Sequence, residues 1–191
     1  MTRIEDPKPL RWSKRQFRRL LDVFGVDRLR VELVDGELIQ MPPQNEPHTY
    51  AILRVEAALR KTLGRRYVLR IQMPLDLAGP HEPEPDVLVI KGSLRDQRKH
   101  PKRADLIVEV SDSTLRYDRI RKGSLYASVG IRDYWVVNLI DEVLEVYREP
   151  VRAPSGHGDW KYDSVRLLRR NAVVTPLAAP RARIRVAQIL P

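Results

Sequence analysis

The chain has 191 residues, 42% of them hydrophobic, a net charge of +10 and no cysteine. That length supports one good core and a single domain over 1–191, and the lack of cysteine excludes disulfides and thiolate metal sites and fits a cytoplasmic protein. No apolar run approaches the roughly 18 residues of a membrane span.

The opening MTRIEDPKPLRW carries no apolar stretch of the secretory kind, so no export is expected. His48, His81, His100 and His157 are scattered, which argues against zinc. The basic balance favours a polyanionic partner, nucleic acid before membrane. Residues 164–191 contain six arginines and no acid, and 95–103 contain five basic residues and one acid. Glu32, Asp35, Glu37, Glu82, Glu84 and Asp86 lie between the basic stretches.

Residues 1–11 are expected to be flexible. Ser13 is an N-cap candidate for a helix to Phe24, whose apolar residues Phe17, Leu20, Leu21 and Phe24 share a face before Gly25. RVELVDGELIQM (30–41) predicts a hairpin on the Asp35-Gly36 turn. A long helix follows from Glu46 to Leu63, closed by Gly64. Strands are predicted at 67–73, 86–90 and 105–111, the last a near-continuous apolar run suited to a central strand. A basic loop (92–103) joins the second to the third. Residues 115–129 predict a helix, with Ser113 or Thr114 as its cap. A hairpin turns about 140–142, a Pro/Gly-rich loop spans 150–159, and the tail adds strands near 162–168 and 182–186. Residues 150–160 are expected to be flexible. This alternation predicts an α/β (α+β) domain, a mixed sheet covered by helices.

Two acids stand out because each interrupts an apolar run: Asp86 opens PDVLVI and Glu109 sits inside DLIVEV. A buried carboxylate is costly unless paired or bound to metal. Strand alternation puts Ile107, Glu109 and Ser111 on one face. If the two strands pair, Asp86 meets Glu109, and two carboxylates with waters suit Mg²⁺. Lys122 follows in the next helix. Asp118, at i−4, shares its face and offers it a plain salt bridge. Tyr126, Tyr134 and Trp135 are expected in the core.

The segments EPDVLVI, ADLIVEVSDSTLRYD and VLEVYREP, together with LVDGELIQMPP and the C-terminal VVTPLAAP, resemble the Uma-type family of restriction-endonuclease-like proteins, within the PD-(D/E)XK nucleases. The resemblance covers nearly the whole chain from about Trp12. It implies a restriction-endonuclease-like core with extra N- and C-terminal strands, and a metal-dependent DNA endonuclease using Mg²⁺, with Mn²⁺ as substitute. Asp86 and Glu109 would be ligands, with Glu37 a further acidic position. The superfamily lysine two residues after the glutamate is Ser111 here, and Lys122 would replace it from the helix. His48, Arg95, Arg98, Lys99, Lys102 and Arg103 are candidate contacts to DNA or RNA. A homodimer is expected, because cutting both strands of a duplex takes two sites. The alternative is a weak or inactive nucleic-acid-binding protein on a nuclease fold.

Overall fold

The computed structural model describes residues 8–25, 30–154 and 159–191. Helix α1 (Lys14–Phe24) starts on Ser13, whose side chain and Gln16 form a reciprocal capping box. Strands β1 (Val31–Val34) and β2 (Glu37–Gln40) form the predicted hairpin. Asp35 and Gly36 both adopt positive φ, 53° and 72°, the backbone such a two-residue turn demands. Helix α2 (Glu46–Leu63) is capped by Asn45.

The main sheet has six strands in the order β3-β4-β5-β6-β7-β8. They are β3 (Tyr67–Ile71), β4 (Val87–Lys91), β5 (Leu106–Ser111), β6 (Asp133–Asn138), β7 (Val143–Arg152) and β8 (Trp160–Leu168). All neighbours are antiparallel except β5 and β6. A parallel pair needs a crossover, and the helical segment 115–128 supplies it. Strands β9 (Val173–Val174) and β10 (Ile184–Arg185) form a separate small ladder.

Alternation along β5 builds a core on each face. Leu106, Val108 and Val110 pack with Ala51, Val55 and Leu59 of α2. Ile107 packs with Leu115, Leu125 and Tyr126 of the crossover. Each buried aliphatic side chain contributes about 1.5–3 kcal/mol, so β5 is held from both sides. Tyr126, Tyr134 and Trp135 are core residues, as their apolar settings predict.

Two expectations change. Strand β7 continues to Arg152, with Pro150 opposite Tyr162, so the expected flexible segment starts as paired strand and ends at the first residue of β8; 155–158, like 1–7, lie outside the described residues. The helix at 115–129 is not uniform. A short α3 (Leu115–Tyr117) passes into a π-helical turn at Asp118–Lys122, then α4 (Gly123–Ser128). Thr114 takes the cap position but spends its hydroxyl on Asp118. The Asp118 carbonyl accepts the Gly123 N–H across the π-turn and, in addition, the Tyr134 hydroxyl at 3.0 Å. Such turns are frequent at functional sites.

Candidate active site

Val87 pairs with Val108 in the antiparallel register of β4 and β5, which sets Asp86 opposite Glu109. The two acids are cross-linked through backbone groups. The Asp86 N–H donates to Glu109 Oε2 at 3.3 Å, and the Val110 N–H donates to Asp86 Oδ2 at 2.8 Å. Gln72 Nε2 donates to Asp86 Oδ1 at 3.1 Å, and His48 Nε2 lies 3.3 Å from the same oxygen. His48 is brought in by the first turn of α2.

Lys122 reaches across from the π-turn. Its Nζ donates to Glu109 Oε1 and to Glu32 Oε1, both at 3.0 Å, and lies 3.9 Å from Asp118 Oδ1. It is 1% exposed. Ser111, where the superfamily pattern has lysine, instead donates to Asp118 Oδ2 at 2.7 Å. Thr114 donates to the same oxygen at 2.6 Å. Asp118 is thereby fixed beneath Lys122.

Glu37 is not brought to this cluster, which corrects the expectation from the resemblance. It pairs with Val34 at the turn end of the hairpin, and its carboxylate takes Arg11 and Arg121, each at 2.6 Å. Glu32 shares its face one repeat further along, opposite Ile39, and occupies the position at the lysine. Successive cations of the crossover each take their own acid: Arg119 takes Glu145, Arg121 takes Glu37, and Lys122 takes Glu32 and Glu109.

The basic loop is also displaced. Arg95, Arg98, Lys99, Lys102 and Arg103 follow the C-terminal end of β4, whereas Asp86 precedes its N-terminal end. At about 3.4 Å per residue that separation is roughly 17 Å.

Three further residues carried no separate claim in the sequence. Glu32 shows the same signal as Glu109, an acid inside an alternating apolar strand. Tyr126 reads as core, yet its hydroxyl donates to Glu109 Oε1 at 2.7 Å. Gln72 lies beyond the end of β3 and shows no signal.

Glu32, His48, Gln72, Asp86, Glu109, Asp118 and Lys122 line a cleft of about 50 Å³ that also includes Arg30, Gln44, Asn45 and Glu84. Six carboxylates (Glu32, Glu84, Asp86, Glu109, Asp112 and Asp118) line it, and Lys122 is their one fully buried cation. The electrostatics reflect that imbalance. Burial, then the other acids, push Glu109 up to about 8 despite Lys122. Burial and Glu32 push Glu84 up to about 6. Burial raises Glu32 and Asp118 as well. Burial also works on Asp86, but the hydrogen bonds from His48 and the Val110 N–H, with Lys122, outweigh it and hold Asp86 below its ordinary value. Burial works against the charge on Lys122, and the surrounding acids overcome it, so the ammonium stays charged.

The donor set fits a divalent cation. Among the described residues no three His, Cys, Asp or Glu side chains form a ready-made cage. Mg²⁺ needs only one or two carboxylates and keeps its waters, which Asp86 and Glu109 can provide. The buried Glu32 Oε2 has no hydrogen-bond partner, and the excess of acid over base is what a cation would relieve.

A mixed sheet with facing acids at paired strand ends, and a lysine packed against them from a crossover helix, defines a restriction-endonuclease-like protein. The chain belongs to the Uma2 family, described as "Putative restriction endonuclease", whose model matches residues 15–186. A solved structure from Anabaena variabilis, titled as a putative nuclease belonging to DUF820, has a similar fold at TM-score 0.62 and 16% identity; the match covers 84% of this chain and 89% of that one. No curated protein matches the chain. No helix among the described residues is long and apolar enough to cross a membrane.

Proposed function

We propose that this protein is a Mg²⁺-dependent endonuclease that hydrolyses phosphodiester bonds in DNA at the cleft between Asp86 and Glu109. The observation that carries the reading is the opposition of these two acids across β4 and β5, with the Lys122 ammonium 3.0 Å from Glu109. Asp86 and Glu109 would hold the cation, which when bound supplies Lewis acidity and offsets phosphate charge. Mn²⁺ would substitute. Lys122 stands one hydrogen bond from Glu109, where an ammonium can orient an attacking water or offset charge developing on the phosphate. Glu32 and Asp118 keep it charged and aimed. His48 and Gln72 fix the Asp86 carboxylate. Arg30, exposed at the mouth, can steady a neighbouring phosphate. Cutting both strands calls for two such sites, hence a homodimer.

The rival reading is a nucleic-acid-binding protein without turnover. The near-complete burial of Lys122 between two carboxylates favours it, since that geometry also describes a structural ion pair. One assay separates the two. Purified protein is incubated with plasmid, single-stranded DNA and RNA in Mg²⁺, Mn²⁺ or EDTA, beside Asp86→Asn and Glu109→Gln. Metal-dependent DNA cleavage lost in both variants supports the endonuclease. Binding without cleavage on every substrate refutes it.

A further inference from the structure

The pole of the sheet remote from the cleft carries a dense surface of net positive charge. Three chain segments meet there. Helix α2 ends at Leu63 and leads through Gly64–Arg66 into β3. Strand β4 ends at Lys91, which pairs with Tyr67, and the Gly92 N–H donates to the Arg66 carbonyl at 2.9 Å. The loop that follows folds back on this junction, and Lys91, Lys99, Lys102 and Arg103 line a common depression. Arg65, Arg66, Lys91, Lys99, Lys102 and Arg103 are all exposed. Among the described residues none of the six side chains forms an ion pair, whereas other cations such as Arg11, Arg18, Arg119 and Arg148 do. The local acids are already occupied. Asp96 caps Ser93, and Asp105 accepts the Lys91 N–H.

Like charges this close repel one another, and the two aspartates in the depression, Asp96 and Asp105, offset only part of the charge of the six cations. An exposed cation cluster of this kind is an electrostatic footprint for a polyanion. Its distance from the cleft gives it a specific use. Two rulers agree on that distance. Strand β4 separates Asp86 from Lys91 by roughly 17 Å at 3.4 Å per residue. Helix α2 separates His48 from its C-terminal end by roughly 20–25 Å at 1.5 Å per residue. At 3.4 Å of axis per base pair, that span is about five to seven base pairs.

We infer that this pole is a second backbone-binding surface, which grips the phosphates of the same DNA duplex whose bond lies in the cleft, about half a helical turn away. The inference rests on the proposed nucleic-acid reading of the cleft. It makes substrate length a determinant of affinity, because a duplex shorter than the span can occupy one surface only.

The test is fluorescence anisotropy in EDTA with a 4-bp stem closed by a hairpin loop and a 24-bp duplex, across 50 to 200 mM salt. Wild type is compared with the triple variant Arg66→Gln, Lys99→Gln, Lys102→Gln, whose fold is checked by circular dichroism and melting temperature. Each neutralised phosphate contact contributes about 0.9 to the slope of log affinity against log salt. The 24-bp duplex is therefore expected to lose about 2.7 from its slope and at least tenfold in affinity at low salt. Wild type should favour the 24-bp duplex over the 4-bp hairpin far more than the variant does. A folded variant with wild-type slope and length dependence overturns the second surface while leaving the cleft reading intact. Wild type that binds neither DNA, in EDTA or in Mg²⁺, overturns both.

Discussion

Replacing Lys122 with methionine isolates its charge, because the two side chains have similar length and the site is closed to water. Lys122, Glu109, Glu32 and Asp118 are each no more than 3% exposed. Removing the ammonium strands three buried carboxylates, and breaking a buried pair from one side costs about 3–5 kcal/mol. Protonation sets a ceiling on that cost. Glu109 already sits near 8 beside the lysine, so it adds little at pH 7.5. Asp118 keeps its bonds from Ser111 and Thr114, so the main cost falls on Glu32, whose ordinary value is 4.5 and which must take up a proton in the fold, at about 1.36 kcal/mol per pH unit above that value. The penalty is about 4 kcal/mol at pH 7.5 and below about 1 kcal/mol at pH 5. The sign follows from linkage: these carboxyls have folded values above their unfolded ones, so the stability they allow is present at low pH and lost as pH rises. At about 2–4 °C per kcal/mol for a chain of this size, the melting temperature should fall by roughly 8–16 °C at pH 7.5 and by little at pH 5. Cleavage of plasmid by the folded variant should fall by about 10²–10³, the usual cost of removing one group that stabilises transition-state charge. Urea melts at both pH values and a nicking assay with Mg²⁺ measure all three quantities. Wild-type cleavage by Lys122→Met, or equal destabilisation at both pH values, would refute the reasoning.

The remaining predictions use the same charges. Mg²⁺ should raise the melting temperature of wild type, by an amount equivalent to about 2.7 kcal/mol at a hundred times its dissociation constant, and should leave Asp86→Asn and Glu109→Gln unmoved. An equal shift in all three would place the cation elsewhere. Because Glu109 holds its proton up to about 8, cation binding near pH 7 should release protons and tighten between pH 6 and 8. Calorimetry in two buffers of different ionisation enthalpy reads that release directly, and buffer-independent heats would contradict it. Glu32→Gln should abolish most cleavage while Glu37→Gln retains it, and the reverse ranking would return Glu37 to the site. Arg119→Ala should cost about 2–3 kcal/mol, since it strands Glu145, whose side chain is wholly buried; the partial exposure of Arg119 keeps the figure at the lower end. Burial works to raise Glu145, but bonds from Arg119, Tyr147 and Asn138 hold it below its ordinary value. The stability it provides is therefore lost as pH falls, and acid melts of the variant and wild type should converge.

The fold was largely legible because its determinants are local. The Ser13 capping box, the Asp35-Gly36 turn, the alternation around Glu109 and the apolar repeat of α2 each fix an element within a few residues. The opposition of Asp86 and Glu109 needed only the register of two adjacent strands. What stayed hidden depends on contacts distant in sequence. Glu32 and Glu37 share a face of one hairpin, and the choice between them was made by the π-turn some 85–90 residues later, which sends Arg121 to one and Lys122 to the other. No pattern within β1 or β2 records that choice. Likewise the charge count of 95–103 marks a partner surface, but whether it borders the cleft depends on which end of β4 the loop follows.

The migrated lysine ties these points together. At position 111 a lysine would project from the same face of β5 as Glu109, held by the strand itself. Placing it at 122 moves it onto a helix that packs on that face, and its position then depends on everything that orients the helix. Ser111 and Thr114 anchor Asp118, Asp118 sits one turn below the ammonium, and Lys122 reaches Glu109 from the π-turn, whose first carbonyl also takes the Tyr134 hydroxyl. Glu32 from a separate hairpin closes the far side. A double exchange, Ser111→Lys with Lys122→Ser, should therefore restore part of the cleavage that Lys122→Met loses, because it returns an ammonium to the face of Glu109 from the strand side. It should not restore the stability, since Glu32 and Asp118 are arranged for a cation entering from the helix. Recovery of activity without recovery of melting temperature would separate the chemical role of the charge from its structural one. Recovery of melting temperature alone would show that the lysine serves the fold and not the reaction.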